Sequence, residues 1–180
     1  MNPKAEFVEG DIRDKKIIKD IIKTVDGCFH LAAIASVDMS VKKWSETHET
    51  NLTGTINIFE AIAKREDGVI PVVYASSAAI YGDNASVPLC ESVQPSPLTP
   101  YGADKLSCEL HARIAHLIHN VPSIGMRFFN VYGPRQDPKS PYSGVISIFI
   151  EKILNDQPIT IFGDGTQTRD FVYVLSLIHI

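Results

Sequence analysis

The chain has 180 residues, of which 44% are hydrophobic and 21% charged, and its net charge is −4. This composition fits a globular protein with a buried core, excludes a disordered chain, and lacks the basic stripe expected of a nucleic-acid-binding protein. No apolar stretch is long enough to span a membrane, and the N-terminus lacks the apolar core of a signal peptide. Three scattered cysteines indicate free thiols in a reducing cytoplasm and not a disulfide framework or a zinc site.

Strand-like and helix-like segments alternate along the chain. The predicted helices are 15–25, 50–64, 101–119 and 145–154, and the predicted strands are 28–33, 69–76, 123–130 and 159–162. Apolar strands bounded by turns and separated by helices are typical of an α/β fold with a doubly wound, Rossmann-like parallel sheet.

Both ends of the chain depart from a complete nucleotide-binding sheet. Such a sheet normally opens with a strand, a glycine-rich turn and a helix, and the sequence contains no G-x-G-x-x-G or close variant. The apolar segment 174–180 stops without a helix cap or a turn, and 175–180 resembles a translated sequencing adapter. We therefore expect a sheet truncated at both ends, with a genuine terminal strand or helix start as the alternative for the tail.

Two serines and a Tyr-x-x-x-Lys pair are the strongest candidates for chemistry. Ser76 and Ser77 end the predicted central strand, where open α/β sheets place their ligands. The Thr-Pro pair at 99–100 suits a helix start, which places Tyr101 in the first turn and Lys105 on the same face. A lysine ammonium and the positive end of a helix both favour tyrosinate, which can take a proton from a sugar or alcohol hydroxyl as hydride leaves the carbon. The spacing alone also fits a half-buried tyrosine beside a surface lysine.

Four motifs in order carry a resemblance to a known family. They are YASSAAIYG at 74–82, PYGADK at 100–105, RFFNVYGPR at 127–135 and FGDGTQTRDFVYV at 162–174. With them the chain resembles the NAD-dependent epimerase/dehydratase members of the extended short-chain dehydrogenase/reductase family, over about residues 7–174. Within that family it is most similar to the UDP-hexose 4-epimerases, which act on UDP-glucose or UDP-N-acetylglucosamine.

The resemblance implies NAD as the cofactor, a UDP-hexose or related nucleotide sugar as the substrate, no metal, and a homodimer formed through helices 50–64 and 101–119. It implies Ser77, Tyr101 and Lys105 as catalytic residues, with Ser76 as their neighbour. The cofactor contacts it implies are Asp11, Ile12, Leu31, Ala32, Ala33, Ala35, Asn51, Tyr101, Lys105 and Phe129. The substrate contacts it implies are Ser77, Asn130, Ser143, Thr160, Ile161, Phe162 and Arg169. It divides the chain into a partial NAD-binding Rossmann domain (1–142), the start of a substrate-binding region (143–174) and a non-native or truncated tail (175–180).

Simpler interpretations exist for several of these residues. Asp11 fits a turn after glycine, the small residues at 32–33 fit close packing, and Asn51 fits a surface position on a helix. The histidines of helix 101–119 have no carboxylate or cysteine partner at metal-ligand spacing and fit a solvated face.

The residues after Ser77 favour one reaction within the family. Dehydratases of the family carry an Asp-Glu pair there and UDP-glucuronate decarboxylases a glutamate, whereas this chain has Ala78 and Ala79. Alanine cannot exchange a proton, so we expect an isomerase, an NAD-dependent nucleotide-sugar 4-epimerase that works through a transient 4-keto sugar. The alternatives are a hexuronate epimerase, a reductase of the same family, or a catalytically inert fragment or binding module.

Overall fold

A computed structural model of the chain describes residues 3–84, 87–140 and 142–178. The chain forms two compact units, Met1–Arg127 and Phe128–Ile180, which are described separately. The division expected after residue 142 concerns binding roles and stays a prediction. Within the described residues no helix is both long and apolar enough to cross a membrane.

The first unit is built on a three-stranded sheet. Its strands, in the order β1-β2-β3, are β1 (Cys28–His30), β2 (Val72–Ser77) and β3 (Ser123–Phe128), the last of which ends at the first residue of the second unit. β1 and β2 run parallel, in a register that pairs Cys28 with Val72 and His30 with Tyr74. Parallel strands separated by helices confirm the predicted α/β fold.

Helices connect these strands. They are α1 (Lys15–Ile22), α2 (Val37–Lys42), α3 (Trp44–His48), a π-helical turn (Glu49–Thr53), α4 (Gly54–Ala63), a 3₁₀ turn (Ala78–Tyr81) and α5 (Pro100–His119). α1 packs on α4, α4 on α5, and α5 on β2. The buried apolar core of this unit includes Ile22, Ile58, Ile62, Val72, Tyr74, Cys108 and Ala112.

Local sequence explains where the main helices start. The Asp14 side chain accepts hydrogen bonds from the backbone N–H groups of Lys16 and Ile17 and begins α1. At α5 the Thr99 side chain accepts from the backbone N–H of Gly102, and Pro100 occupies the first turn, as predicted. The positions of Tyr101 and Lys105 in the fold therefore follow from a cap that is visible in the sequence.

The second unit contains a short parallel pair and one helix. β4 (Asn130–Tyr132) pairs with β5 (Phe171–Tyr173), α6 spans Val145–Leu154 as predicted, and a 3₁₀ turn covers Val174–Ile178. The Tyr132 ring packs edge-on against the Phe171 ring, with 6.3 Å between centroids.

Several expected elements differ from the structure. The predicted helix 15–25 ends at Ile22, and the predicted strand 69–76 begins at Val72. The predicted strand 28–33 ends at His30, and the predicted strand 123–130 is divided into β3 and β4. The predicted helix 50–64 begins with the π-helical turn, which continues directly from α3. The strand predicted at 159–162 is wrong, because this segment is irregular and exposed. A four-residue apolar run is too short for its pattern to distinguish a strand from an irregular segment.

Candidate active site

The structure brings Ser77 and Tyr101 together at the carboxyl end of β2. The Ser77 hydroxyl accepts a hydrogen bond from the backbone N–H of Ala79 at 3.1 Å and thereby caps the 3₁₀ turn. The Ser77 side chain also lies beside the phenol of Tyr101, where it lowers the pKa of that phenol. The backbone N–H of Tyr101 donates to Ser40 Oγ on α2 at 3.2 Å, which anchors the first turn of α5. Ser77 and the first turn of α5, which carries Tyr101, are therefore each held by a hydrogen bond to a neighbouring segment.

Lys105 lies one helical turn after Tyr101 and is almost fully buried. Its Nζ donates to the carbonyl oxygen of Ala75 on β2 at 2.8 Å and lies 5.9 Å from the centroid of the Tyr101 ring. Burial lowers the pKa of Lys105 from its usual value. An ammonium has three N–H donors, and one of them is used by Ala75.

The ionisation of Tyr101 differs from the expectation that its environment favours tyrosinate. Burial raises the pKa of Tyr101 above its usual value, and the hydrogen bond with Ser77 acts in the opposite direction but is the smaller effect. The physical reason is desolvation, because a charged phenolate loses its hydration in the half-buried position. Burial therefore acts against the tyrosinate form of Tyr101.

Ser76 does not share the position of Ser77. Successive residues of a strand point to opposite faces, and Ser76 is 2% exposed. Its hydroxyl donates to Glu109 Oε1 at 2.5 Å. Ser76 is thus placed to hold the strand end through Glu109, and its expected place as a neighbour of the catalytic residues stays a prediction.

Asn51 holds the loop that follows β1. Its Oδ1 accepts from the backbone N–H of Ile34 at 2.8 Å, and its Nδ2 donates to the carbonyl oxygen of Ile34 at 3.1 Å. Asn51 is 1% exposed, which excludes the simpler alternative of a surface position on a helix, while its expected contact with the cofactor stays a prediction. The loop that it holds carries Leu31, Ala32, Ala33 and Ala35, of which all but the half-buried Ala33 are exposed. Through these two bonds Asn51 holds the loop in place, so it would act on a ligand of this loop by fixing the position of the loop.

Asp11 and Ile12 lie in the turn before α1. Arg13 donates to the Asp11 carboxylate from Nη2 at 2.6 Å and from Nε at 3.0 Å, and this contact lowers the pKa of Asp11. Ile12 packs against Gly54 at the start of α4, where an added Cβ would approach Ile12 Cδ1 to 2.5 Å. Asn57 Nδ2 donates to the carbonyl oxygen of Ile12 at 3.1 Å. The turn is therefore anchored to α4 with the Asp11 carboxylate half-exposed.

The remaining expected residues belong to the second unit. Asn130 Nδ2 donates to the Asp170 carbonyl at 2.9 Å, Arg169 Nη1 donates to the Thr168 carbonyl at 2.7 Å, and the Ser143 hydroxyl donates to the Asp137 carbonyl. Phe129 is half-buried, whereas Thr160, Ile161 and Phe162 are exposed. Their roles in binding stay predictions.

Three residues that support the site were not among the expected site residues. Ser40 is fully buried and positions Tyr101, while Glu109 and Arg127 form a half-buried ion pair behind Ser76. Two signals were available: a glutamate that follows Lys105 by one helical turn, and an arginine within a mostly apolar strand. No comparable signal identifies Ser40, because its contact with Tyr101 joins segments that are distant in sequence.

Comparison with known proteins agrees with this geometry. A profile described as the NAD dependent epimerase/dehydratase family matches residues 1–180. A Methanocaldococcus jannaschii protein named as a putative UDP-glucose 4-epimerase is 44% identical over 176 residues, which cover 97% of this chain and 57% of that protein.

Two solved structures extend the comparison. The UDP-glucose 4-epimerase of Thermotoga maritima, solved with UDP-glucose, superimposes with a TM-score of 0.93 at 37% identity, covering 99% of this chain and 58% of its own. The UDP-glucuronic acid 4-epimerase of Bacillus cereus, solved with UDP-glucuronic acid and NAD, has a TM-score of 0.86 at 34% identity, covering 99% and 55%. The chain thus spans a little over half the length of these relatives.

Proposed function

The chain belongs to the NAD dependent epimerase/dehydratase family, and we propose that the complete protein is an NAD-dependent UDP-sugar 4-epimerase. One observation carries the proposal: Ser77 and Tyr101 lie side by side at the carboxyl end of β2, with Lys105 one helical turn after Tyr101 and bonded to β2. Ala78 and Ala79 follow Ser77 and supply no acid or base for dehydration. The named 4-epimerase relatives support the same choice.

NAD is the cofactor of this family, and the residues of the chain fit it. The exposed loop 31–35 has small side chains at three of its five positions and lies at the carboxyl end of β1, beside the end of β2. Lys105 has N–H donors beyond the one that Ala75 uses, and these suit ribose hydroxyl groups. We propose that this loop, Lys105 and Tyr101 hold the cofactor, while Asn51 fixes the loop. When bound, NAD accepts a hydride from the sugar carbon and later returns it.

In the proposed reaction, residues of the chain transfer the proton of the sugar hydroxyl. The phenolate form of Tyr101 takes the proton of the sugar C4 hydroxyl, becomes the neutral phenol, and gives the proton back when the transient 4-keto sugar is reduced on its opposite face. Ser77 donates a hydrogen bond to the Tyr101 phenolate or to the same sugar oxygen. The Lys105 ammonium, 5.9 Å from the Tyr101 ring centroid, favours the phenolate from which the proton transfer starts.

We propose a nucleotide sugar as the substrate, on the basis of residues in the second unit and of the named relatives. Arg169 is exposed, and a guanidinium can bond two oxygens of a diphosphate. Asn130, Ser143 and the segment 160–162 complete the proposed nucleotide-sugar contacts. Activity toward UDP-glucose, UDP-N-acetylglucosamine and UDP-glucuronic acid, compared in one assay, identifies the sugar.

We also propose that the protein pairs with a second copy through α4 and α5. A shallow groove of about 250 Å³ lies between these helices and is lined by Ile56, Phe59, Ala63, Ile114 and Ala115. Further along α5 the side chains of Leu117 and Ile118 are 62% and 64% exposed. A second copy would cover this apolar surface.

Replacement of Tyr101 by phenylalanine tests the proposed function. In the complete protein Tyr101→Phe should lower turnover by about 10²–10⁴-fold, because the proton acceptor is lost, while NAD affinity stays close to that of the wild type. Tyr74→Phe makes the same change in the buried core and should retain turnover. Turnover is followed by interconversion of the two UDP-sugar epimers, and NAD binding by calorimetry. Unchanged turnover in Tyr101→Phe would contradict its role as the base, and a wild-type protein inactive on all three sugars would contradict the function.

A further inference from the structure

A half-buried ion pair lies behind the Ser77–Tyr101 contact. Glu109 is on α5, one helical turn after Lys105, and Arg127 is on β3. Arg127 Nε donates to Glu109 Oε1 at 2.9 Å and Nη2 donates to Oε2 at 2.8 Å, with side chains 24% and 17% exposed. Two parallel charge-assisted bonds fix both the distance and the orientation of the pair.

The glutamate holds one end of the segment that carries Ser77. Its Oε1 also accepts from Ser76 Oγ at 2.5 Å, and Ser76 directly precedes Ser77 in β2. The bond to Glu109 therefore holds the residue next to Ser77, whose side chain lies beside the Tyr101 phenol.

The arginine holds the other end of the same segment. Its Nη1 donates to the Tyr81 hydroxyl at 2.8 Å, and the guanidinium lies 5.1 Å from the centroid of the Tyr81 ring. Tyr81 ends the 3₁₀ turn that Ser77 caps at its start. The same Nη1 donates to the carbonyl oxygen of Glu91 at 3.0 Å, in the connection that leads to α5.

We propose that Glu109 and Arg127 are positioning residues, which act together to hold the Ser77 hydroxyl against the Tyr101 phenol. The proposal deepens the proposed function and rests on it for its catalytic consequence. The ion pair holds Ser76 and Tyr81, which bracket Ser77 in the chain, so the loss of either attachment lets the strand end and the following turn shift. A displacement of about 1 Å at a reacting group is enough to lower a rate by about 100-fold.

The charge state of the glutamate suits this role. Burial alone would raise the pKa of Glu109, but the bonds from Arg127 and Ser76 outweigh burial and lower it overall. Glu109 is therefore ionised at neutral pH and accepts the hydrogen bonds from both partners. Glutamine at this position would keep the size of the side chain but lose the charge and one of the acceptors.

Glu109→Gln and Ser76→Ala test the proposal, with Glu46→Gln as the matched control. Glu46 is an ion-paired glutamate on α3, bonded to Lys43 at 3.0 Å and about half-exposed. The first readout is the titration of Tyr101 in protein labelled with ¹³C at the tyrosine ring, where Tyr101→Phe assigns the signal. We expect the pKa of Tyr101 to rise in Glu109→Gln and in Ser76→Ala, because the bond from Ser77 that lowers it is lost, and to stay unchanged in Glu46→Gln.

The second readout is the kinetics of the complete protein. We expect kcat to fall by about 10–100-fold in Glu109→Gln, with KM for the UDP-sugar within about twofold of the wild type. If Glu109 had a purely structural role, its replacement would change the stability of the protein without changing the pKa of Tyr101.

The outcomes separate the two proposals. An unchanged Tyr101 titration in the folded variants overturns the positioning role, whatever the activity. If Glu109→Gln does not fold, Ser76→Ala decides alone, because it removes one hydroxyl and leaves the Glu109–Arg127 pair in place. A wild-type protein without epimerase activity overturns the proposed function, while the titration still decides whether the ion pair positions Ser77.

Discussion

Gly102 on α5 lies against the 3₁₀ turn that follows Ser77, and one added methyl group tests this packing. A Cβ at Gly102 would lie 2.6 Å from the carbonyl oxygen of Ala79 and 3.1 Å from Pro97 Cβ. The first of these neighbours is backbone, so a side-chain rotation cannot relieve the contact. Gly102→Ala must move either the first turn of α5 or the turn that Ser77 caps.

Two opposing effects set the magnitude. In a helix, alanine in place of glycine stabilises the fold by about 0.5–1 kcal/mol when space is free. Overpacking of a filled site costs about 1–3 kcal/mol. The contact with backbone makes the second effect larger, so we expect Gly102→Ala to lower the free energy of unfolding by roughly 1–2 kcal/mol. The sign of the change therefore decides whether the contact is real.

Urea unfolding followed by circular dichroism measures this change. Gly27→Ala is the matched control, because its Cβ would lie at an ordinary 3.7 Å from Pro71 and should cost little. The comparison holds if the denaturant slope m is the same in both variants. A Gly102→Ala protein that is more stable than the wild type would refute the packing and, with it, the close placement of Ser77 and Tyr101.

Two further predictions concern pH and assembly. Burial lowers the pKa of His30 from 6.5 to about 4. The contribution of the neutral imidazole to the free energy of unfolding is therefore fully present above pH 6.5 and is lost as the pH falls toward 4. The loss between pH 7.5 and 5 is about 2 kcal/mol. Urea unfolding at a series of pH values should show this loss in the wild type and in His116→Gln, which changes an exposed histidine, but not in His30→Gln. A wild-type stability that does not change with pH would exclude a neutral buried imidazole. Ile114→Arg should lower the dimer fraction in sedimentation equilibrium, whereas Val41→Arg on α2 should not; a wild-type protein that is monomeric at all concentrations would contradict pairing through α4 and α5.

Features set by neighbouring residues could be predicted. The helix at 145–154 was predicted with the bounds that it has in the structure, and α5 begins where the threonine cap and Pro100 indicated. The placement of Tyr101 near Ser77 also followed, because the carboxyl end of a parallel strand and the start of the next helix meet at one edge of the sheet. The segment 159–162 was misassigned because four apolar residues carry too little pattern.

Features that depend on burial could not be predicted in the same way. The sequence shows a lysine one turn from a tyrosine, but it does not show that the ammonium binds the Ala75 carbonyl or that desolvation raises the pKa of Tyr101. It shows two adjacent serines, but only the pleat of β2 assigns Ser77 to Tyr101 and Ser76 to Glu109.

The sequence by itself therefore determined the α/β fold, the family and the candidate catalytic residues, because helix caps, strand patterns and contiguous motifs are local properties of a chain. The tertiary structure decided how those residues are supported. Asn51 reaches Ile34, and Arg127 reaches Glu109 and Tyr81, across gaps in sequence that carry no spacing rule. Such contacts exist only after the chain has folded, since packing brings the partners together and removes the water that would otherwise screen their charges.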